Sequence, residues 1–265
     1  MKKKAVSKIL ALKAAVAAAS EAGALMRKHL NRPKRINEAY QHDIKLELDV
    51  RCQKLIERKL RKQFPEISIL GEEGNAGDEN VEARWVVDPI DGTVNFTYGI
   101  PHACVSIALQ IKNSKARYGY ETVAGVVYDP FADEMFTAIA GKPARLNGRR
   151  IRVSSRKQLE EAIISIGFAK TEASLQQMLP RFNALVHRVR KIRIMGAAAL
   201  AIVYVACGRF DGYVEGGLRL WDIAAGGLIL ESAGGDFWHE LLPKGEPHSY
   251  RLIANNGKLR RSLAV

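Results

Sequence analysis

One segment of the 265-residue chain constrains its fold most, because it joins an apolar strand to a tight acidic turn. Residues 84–87 (RWVV) have the composition of a buried strand, and residues 88–93 (DPIDGT) follow directly. Pro89 fixes its own φ and restricts Asp88, while Gly92 accepts backbone angles that other residues resist. We therefore expect the strand to stop at residue 87 and the chain to turn sharply, so that two carboxylates converge on one point.

The residues after this turn predict an anion site beside the carboxylates. Residues 93–96 can open a short helix whose unpaired N–H groups face the same point and bind a phosphate. Carboxylates would repel the anion that the helix attracts, and a divalent cation between them resolves this conflict. Hard oxygen ligands suit Mg²⁺, and phosphate oxygens can complete its coordination. Taken alone, the D-P-x-D-G pattern is equally typical of a simple capped turn.

Charge is unevenly distributed along the chain, which has a net charge of +13. Residues 1–65 hold 17 basic and 6 acidic side chains, residues 66–140 hold 4 and 12, and residues 141–265 hold 20 and 10. A concentration of carboxylates in a basic protein favours a bound cation. The basic remainder is compatible with a solvated surface that steers anionic substrates, or with a nucleic-acid or acidic-protein contact.

Composition and hydropathy exclude several classes of protein. A hydrophobic content of 47% provides a buried core and excludes collagen, coiled-coil arrays and disorder. The N-terminus resembles a secretion signal, but Lys8 and Lys13 interrupt its apolar run. Elsewhere, the longest uncharged segment, 194–208, is too short to span a membrane. Three separated cysteines support neither a disulfide framework nor a zinc ribbon. We expect a cytoplasmic protein without a membrane segment.

Periodicity predicts an α+β protein. The expected helices cover the N-terminus through His29 and residues 50–64, 174–189, 197–207 and 222–233. The expected strands cover residues 68–70, 84–87, 105–111, 122–128, 162–167, 191–194 and 210–214, and Asn147-Gly148 predicts a hairpin turn. Strands joined by hairpins give way to alternating strands and helices near residue 150. We therefore predict an N-terminal half, 1–150, that carries most of the acidic cluster, and a C-terminal half, 151–265.

Two further acidic motifs make the turn more specific. Residues 71–74 (GEEG) follow the apolar run at 68–70, and Asp222 begins a nearly uncharged segment. With these motifs the chain resembles the inositol monophosphatase family of Mg²⁺-dependent, lithium-sensitive phosphatases. The resemblance extends from about residue 14 to residue 256 and rests on 71–73 (GEE), 85–96 (WVVDPIDGTVNF) and 221–226 (WDIAAG). It implies a layered α-β-α-β-α sandwich that assembles as a homodimer.

The resemblance also implies the composition of the site. Its metal ligands would be the carbonyl of Ile90 and the side chains of Glu72, Asp88, Asp91 and Asp222. Its substrate-binding residues would be Asp91, Gly92, Thr93, Ala198 and Glu215. Its catalytic residues would be Asp49, Glu72 and Thr93, with Asp49 orienting Thr93 and both Thr93 and Glu72 acting on the attacking water. Two alternatives stay open, because Asp49 also fits an ordinary helix N-cap and Glu215 an exposed surface carboxylate.

The activity implied is hydrolysis of small polyol or sugar phosphate monoesters by water activated by two or three Mg²⁺ ions. Inositol 1-phosphate is the leading substrate, and fructose 1,6-bisphosphate and histidinol phosphate are alternatives. Val94 replaces the lysine that accompanies nucleotide phosphatases in this family, which favours polyol esters. The other function class is a regulatory protein that binds RNA or RNA polymerase. The sequence favours the enzyme, because no basic strand is interleaved with aromatic residues.

Overall fold

The computed structural model of the chain describes residues 6–34, 36–39, 44–74, 81–169, 172–242 and 249–263. Its helices within these ranges are α1 (Lys8–His29), α2 (Glu47–Gln63), α3 (Thr93–Thr97), α4 (Glu172–Val186), α5 (Ala198–Ala206), α6 (Leu220–Ser232) and α7 (Arg260–Leu263). Its strands are β1 (Ile36–Ala39), β2 (Ile44–Leu46), β3 (Ser68–Gly71), β4 (Ala83–Asp91), β5 (Cys104–Lys112), β6 (Tyr120–Asp129), β7 (Glu134–Ile139), β8 (Arg145–Leu146), β9 (Arg149–Arg150), β10 (Ile163–Ile166), β11 (Lys191–Arg193), β12 (Gly212–Leu218), β13 (Asp236–Leu241) and β14 (Tyr250–Asn255).

Two sheets alternate with three layers of helices. The first sheet has the order β3-β4-β5-β6-β7-β8-β9 and is antiparallel except for the β3–β4 pair. Helices α1 and α2 pack on one face of it, and α5 and α6 pack on the other. The second sheet, ordered β11-β10-β12-β14-β13, lies beyond α5 and α6, with α4 and α7 on its outer face. The predicted α-β-α-β-α sandwich is therefore confirmed.

Strand β5 shows why the sequences of the central strands are apolar at consecutive positions. Its side chains alternate between the faces, as the two-residue period of a strand requires. Val105, Ile107 and Leu109 contact the α1 and α2 layer, whereas Cys104 and Ala108 contact the α5 and α6 layer. Because helices cover both faces, every one of these positions is buried.

Small residues allow the middle helices to approach the first sheet closely. A Cβ added to Gly125 of β6 would lie 3.1 Å from the carbonyl oxygen of Ala225, and one added to Gly226 would lie 3.1 Å from Ile202 Cβ of α5. Side chains at these glycines would force the layers apart, at a cost of about 1–3 kcal/mol for an overpacked core. The glycine at 125 thus lets α6 approach β6 closely, and the glycine at 226 lets α6 approach α5.

Helix α1 is apolar for a structural reason. By length and composition it is the one helix in the described residues that could cross a membrane. Its alanine stripe, however, packs in the core with α2, β5 and β6. A Cβ on Gly23 would lie only 2.5 Å from a ring carbon of Tyr128, so this face needs small residues. The helix is thus a core element of the first α layer.

Most of the predicted elements are present, with informative shifts at their ends. Helix α2 begins three residues earlier than expected, and β4 continues to Asp91, so the expected stop at residue 87 is wrong. The turn at Asn147-Gly148 is confirmed, since both residues have positive φ, 47° and 78°, between β8 and β9. Strands β1, β2, β7, β13 and β14 had not been predicted.

The first sheet ends before residue 151, but α5 and α6 contact both sheets, and the division into two halves stays a prediction.

A buried aspartate joins the segment after β9 to the second sheet. Asp211 is fully buried and accepts hydrogen bonds from Arg156 Nε at 2.8 Å, from Ile163 N at 2.8 Å and from the Ser154 hydroxyl. We expect Asp211→Ala to lower the free energy of unfolding by about 3 kcal/mol, because it leaves these donors unpaired. Urea denaturation would measure this. Glu21→Ala, which removes an exposed partner of Lys59, should cost no more than about 1 kcal/mol, and equal losses would contradict the prediction.

Candidate functional site

An irregularity in β4 brings two aspartates to the same face of the sheet. Asp88 pairs with Ser106 of β5, and Asp91 pairs with Cys104. The two aspartates are therefore three residues apart on β4, whereas their partners are only two residues apart on β5. In a regular strand, residues three apart point to opposite faces, and this bulge removes that alternation. Pro89 lacks an N–H group and is tolerated within the bulge. Both carboxylates are buried, and Asp88 Oδ1 accepts a hydrogen bond from Ile90 N at 3.0 Å.

Asp91 is held by the first turn of α5, more than a hundred residues away in sequence. Its Oδ1 accepts a hydrogen bond from Ala198 N at 3.0 Å, and its Oδ2 accepts one from Ala199 N at 2.8 Å. The Cys104 thiol also donates to Oδ2 at 3.4 Å. Burial raises the pKa of Asp91 to about 6 despite these donors. Ala198 thus orients Asp91, and its contact with substrate stays a prediction.

Asp49 and Asp222 occupy the same position in two different helices. Each is the third residue of its helix and accepts a hydrogen bond from the backbone N–H of the residue before that helix. Leu46 N donates to Asp49 Oδ2 at 2.8 Å, and Arg219 N donates to Asp222 Oδ2 at 2.7 Å. The N-cap interpretation of Asp49 was therefore wrong by three residues, because Leu46 occupies the N-cap, and Asp222 likewise lies three residues after the N-cap Arg219. Each carboxylate is anchored through one oxygen at a helix N-terminus, where negative charge is favoured.

Four of the predicted ligands form one electrostatic cluster. We call Glu72, Asp88, Asp91 and Asp222 the carboxylate cluster. Burial, with the charges of Asp222 and Asp49, raises the pKa of Glu72 well above its usual range. Burial and the charges of Glu72, Asp91 and Asp222 do the same for Asp88. Burial and the charge of Asp91 raise the pKa of Asp222 to about 8.

The carboxylate cluster fits a divalent cation by the chemistry of its donors. Among the described residues, no three His, Cys, Asp or Glu side chains already stand at the spacing found around a metal ion. A hydrogen bond instead joins Glu72 to Asp88. Buried carboxylates that raise one another's pKa are strained by mutual repulsion, which a cation between them would relieve. Carboxylate oxygens are also the hard ligands that Mg²⁺ prefers.

The turn after Asp91 is closely packed on its outer side. Gly92 has φ +90°, and a Cβ there would lie 3.0 Å from the His102 carbonyl oxygen and 3.1 Å from Ala197 Cβ. Asn95 of α3 donates through Nδ2 to the carbonyls of His102, at 2.9 Å, and Met195, at 2.8 Å. No local pattern predicts this contact, because Asn95 lies 100 residues from Met195. It fixes the turn against the residues that precede α5.

Thr93 and Ile90 are in direct contact at this turn. The Thr93 hydroxyl donates a hydrogen bond to the Ile90 carbonyl at 2.9 Å, so the carbonyl predicted to bind metal and the predicted catalytic hydroxyl are neighbours. The charge of Asp49 acts on Glu72, which places Asp49 near the carboxylate cluster. The pairing of Asp49 with Thr93 stays a prediction.

Glu215 on β12 completes the group of inward-facing acids. The Tyr213 hydroxyl donates to Glu215 Oε2, and a Cβ at Gly167 would overlap the Glu215 carboxylate. Burial, with a contribution from Asp91, raises the pKa of Glu215 to about 7. Glu215 is thus a half-buried carboxylate beside the cluster rather than an exposed surface group. Sequence reasoning missed Tyr213, which lies two residues away on the same face of its strand.

Comparisons with known proteins cover almost the entire chain. A profile of the inositol monophosphatase family matches residues 10–264. Nus factor SuhB from Xylella fastidiosa is 39% identical over 257 residues, covering 94% of this chain and 90% of that protein. Inositol monophosphatase 1 from Solanum lycopersicum is 38% identical over 255 residues, covering 94% and 91%. The crystal structure of extragenic suppressor protein SuhB from Bartonella henselae superposes with a TM-score of 0.86 at 35% identity and covers 96% of both chains. With its fold and its whole sequence in agreement, the chain belongs to the inositol monophosphatase family.

Proposed function

We propose that this protein is a Mg²⁺-dependent phosphatase of small polyol or sugar phosphate monoesters, with inositol 1-phosphate as its leading substrate. The observation that carries the proposal is the carboxylate cluster, in which buried and half-buried acids from three separate parts of the chain act on one another beside the Gly92 turn. A stable domain gains nothing from such a cluster unless a cation neutralises it. Membership of the inositol monophosphatase family supports the same activity.

The metal site would be formed by the carboxylate cluster and the Ile90 carbonyl, holding two or three Mg²⁺ ions. Bound Mg²⁺ would supply positive charge to the phosphate and lower the pKa of the attacking water. The hydrogen bonds from Ala198 and Ala199 keep Asp91 oriented toward this site, and the one from Arg219 does the same for Asp222. These donors also favour the ionised carboxylates that a metal ligand requires.

The remaining residues would position substrate and move a proton. In our proposal the N–H groups of Gly92 and Thr93 receive phosphate oxygens at the start of α3. The Thr93 hydroxyl, which donates to Ile90, has lone pairs that would accept a hydrogen bond from the attacking water and orient it. The proton of that water would pass to the carboxylate of Glu72 or Asp49. Glu215, held by Tyr213, would accept hydrogen bonds from the hydroxyl groups of a polyol, with Ala198 beside it.

A panel of phosphate esters tests this proposal. Inositol 1-phosphate, fructose 1,6-bisphosphate and histidinol phosphate would each be assayed for phosphate release with Mg²⁺, with Mg²⁺ and Li⁺, and with EDTA. We expect the fastest release from inositol 1-phosphate, inhibition by Li⁺, and no release with EDTA. Fastest release from another ester would change the substrate, whereas no release above the EDTA control from any ester would refute the phosphatase.

Assembly and location are part of the same proposal. The chain would work as a homodimer in the cytoplasm, as the resemblance to its family implies. Sedimentation equilibrium would measure the mass of the assembly, and a monomer at micromolar concentration would contradict the dimer.

A second candidate function, binding of RNA or RNA polymerase, is favoured by one surface feature. The basic strip, which consists of Arg188, Arg190, Lys191 and Arg193, is exposed on and before β11, the edge strand of the second sheet. Relatives named Nus factor SuhB point in the same direction. If the strip binds RNA, retention of RNA by the metal-free protein should weaken steeply with salt and fall when these four residues are changed to Gln. Retention unchanged by these substitutions would exclude the strip as the site.

A further inference from the structure

A buried glutamine on α2 reaches the loop that carries Glu72. We infer that Gln53 is a positioning residue, which sets the place of the Glu72 carboxylate by holding the backbone of Glu73. The inference rests on the proposed function, since it concerns how well Glu72 serves as a Mg²⁺ ligand.

The contacts of Gln53 are those of a backbone clamp. Its Oε1 accepts a hydrogen bond from Glu73 N at 2.8 Å, and its Nε2 donates to the carbonyl of the same residue. Nε2 also donates to Glu57 Oε1 at 3.1 Å, one turn further along α2. Gln53 is only 4% exposed, so the amide is held in one orientation by partners on both sides. A side-chain amide that pairs with both groups of one residue replaces the contact that a neighbouring strand would make.

Glu72 is consequently fixed between two anchors. On its N-terminal side its own N–H donates to the Val87 carbonyl of β4 at 3.1 Å, and on its C-terminal side the clamp holds Glu73. Both contacts hold the chain beside β4 beyond the end of β3. A shift of about 1 Å in a ligand is enough to weaken a metal site.

Two features show that the space around Gln53 is shaped for this contact. A Cβ at Gly71 would overlap the Gln53 amide, so the glycine before Glu72 makes room for the clamp. Asp49 lies four residues before Gln53 and therefore on the same face of α2, where its charge acts on Glu72. Two consecutive turns of one helix thus face the Glu72 loop, one through charge and the other through hydrogen bonds.

The variant Gln53→Met tests the clamp, because methionine fills a similar volume without hydrogen bonds to the backbone. We expect the Mg²⁺ concentration for half-maximal activity to rise about tenfold, the cost typical of losing a contact that orients a ligand. The turnover at saturating Mg²⁺ should change by less than about threefold, because the chemistry of the bound site is intact. Two readouts do not depend on activity: Mn²⁺ binding followed by electron paramagnetic resonance should weaken by a similar factor, and exchange of the Glu73 amide hydrogen should become faster.

The matched control is Gln110→Met. Gln110 is 5% exposed and also makes two side-chain hydrogen bonds, with Arg84 Nε at 3.0 Å and Thr122 Oγ1 at 3.2 Å, but it lies at the other end of β5. The Gln110→Met variant removes the same amide group from an equally buried position. Both variants should therefore lower the free energy of unfolding, measured in urea, by a comparable amount. Only Gln53→Met should change Mg²⁺ and Mn²⁺ binding.

The outcomes separate this inference from the proposed function. Unchanged Mn²⁺ affinity and unchanged exchange of the Glu73 amide in Gln53→Met would overturn the positioning role, as would an equal loss of affinity in Gln110→Met. A wild-type protein that binds Mn²⁺ but hydrolyses no ester would refute the phosphatase, while the binding and exchange measurements would still decide the role of Gln53.

Discussion

The Asp91→Asn variant is expected to lose about a thousandfold in Mg²⁺-dependent phosphate release, equivalent to about 4 kcal/mol. Asp91 accepts hydrogen bonds from Ala198, Ala199 and Cys104 through both of its oxygens. An asparagine would turn one of those oxygens into an NH₂ group that faces donors, and it would remove a negative charge from the carboxylate cluster. Both changes weaken the metal site, so the Mg²⁺ requirement and the turnover should deteriorate together.

The measurement is a titration of activity against Mg²⁺ for the wild type, Asp91→Asn and Asp236→Asn. Asp236 lies on β13 and accepts hydrogen bonds from Asn255 and Arg260. Its substitution by asparagine is the same chemical change at a place outside the carboxylate cluster. The control should keep wild-type activity. Full activity of Asp91→Asn at limiting Mg²⁺ would refute its role as a ligand.

The second large effect concerns stability in the absence of metal. The metal-free protein is expected to lose about 2 kcal/mol of stability between pH 6.5 and pH 8.5, a fall of about 4–8 °C in Tm. Excess Mg²⁺ should abolish most of this fall, because a cation that binds only the folded state stabilises it and favours ionised ligands. Thermal unfolding with EDTA and with Mg²⁺ at each pH would measure both effects.

The sign follows from the direction of the pKa shifts. In the folded protein the pKa of Asp222 is raised from 3.8 to about 8 and that of Glu215 from 4.5 to about 7, mainly by burial. The folded state therefore binds more protons than the unfolded state above pH 4. Stability that is fully present below the unfolded pKa values is lost as the pH rises through the folded ones.

The choice of pH window isolates these carboxylates. Burial lowers the pKa of His102, and it lowers that of His239 to about 4, so the titration of these histidines contributes an opposite slope below pH 6.5. Above pH 6.5 that contribution is smaller than the carboxylate one, because unfolded histidines, with a pKa of about 6.5, are already at least half deprotonated there. The Asp222→Asn variant should show a flatter fall than the wild type, whereas Asp236→Asn should keep the full fall. A Tm that stays constant or rises across this window without metal would contradict the prediction.

The sequence patterns correctly predicted those elements whose conformation depends on neighbouring residues in the chain. The alanine and valine periodicity of α1 and the Asn147-Gly148 turn between β8 and β9 were predictable because neighbouring residues determine their conformation. The antiparallel β13–β14 pair was missed because its strands carry mixed polar and aromatic side chains. The end of β4 was predicted at the wrong residue because proline usually ends a strand. In the structure, the pairing of β4 with β5 continues past Pro89 through a bulge.

The sequence by itself determined the family, the acidic turn after an apolar strand, and the acids that make up the carboxylate cluster. Only the tertiary structure decided which groups orient those acids. Asp91 is held by Ala198 and Ala199, and Glu72 is held through Gln53, by hydrogen bonds between residues that are distant in the chain. Periodicity and turn signals report interactions within a few residues, whereas these contacts exist only once helices and sheets have packed, so no local pattern could contain them.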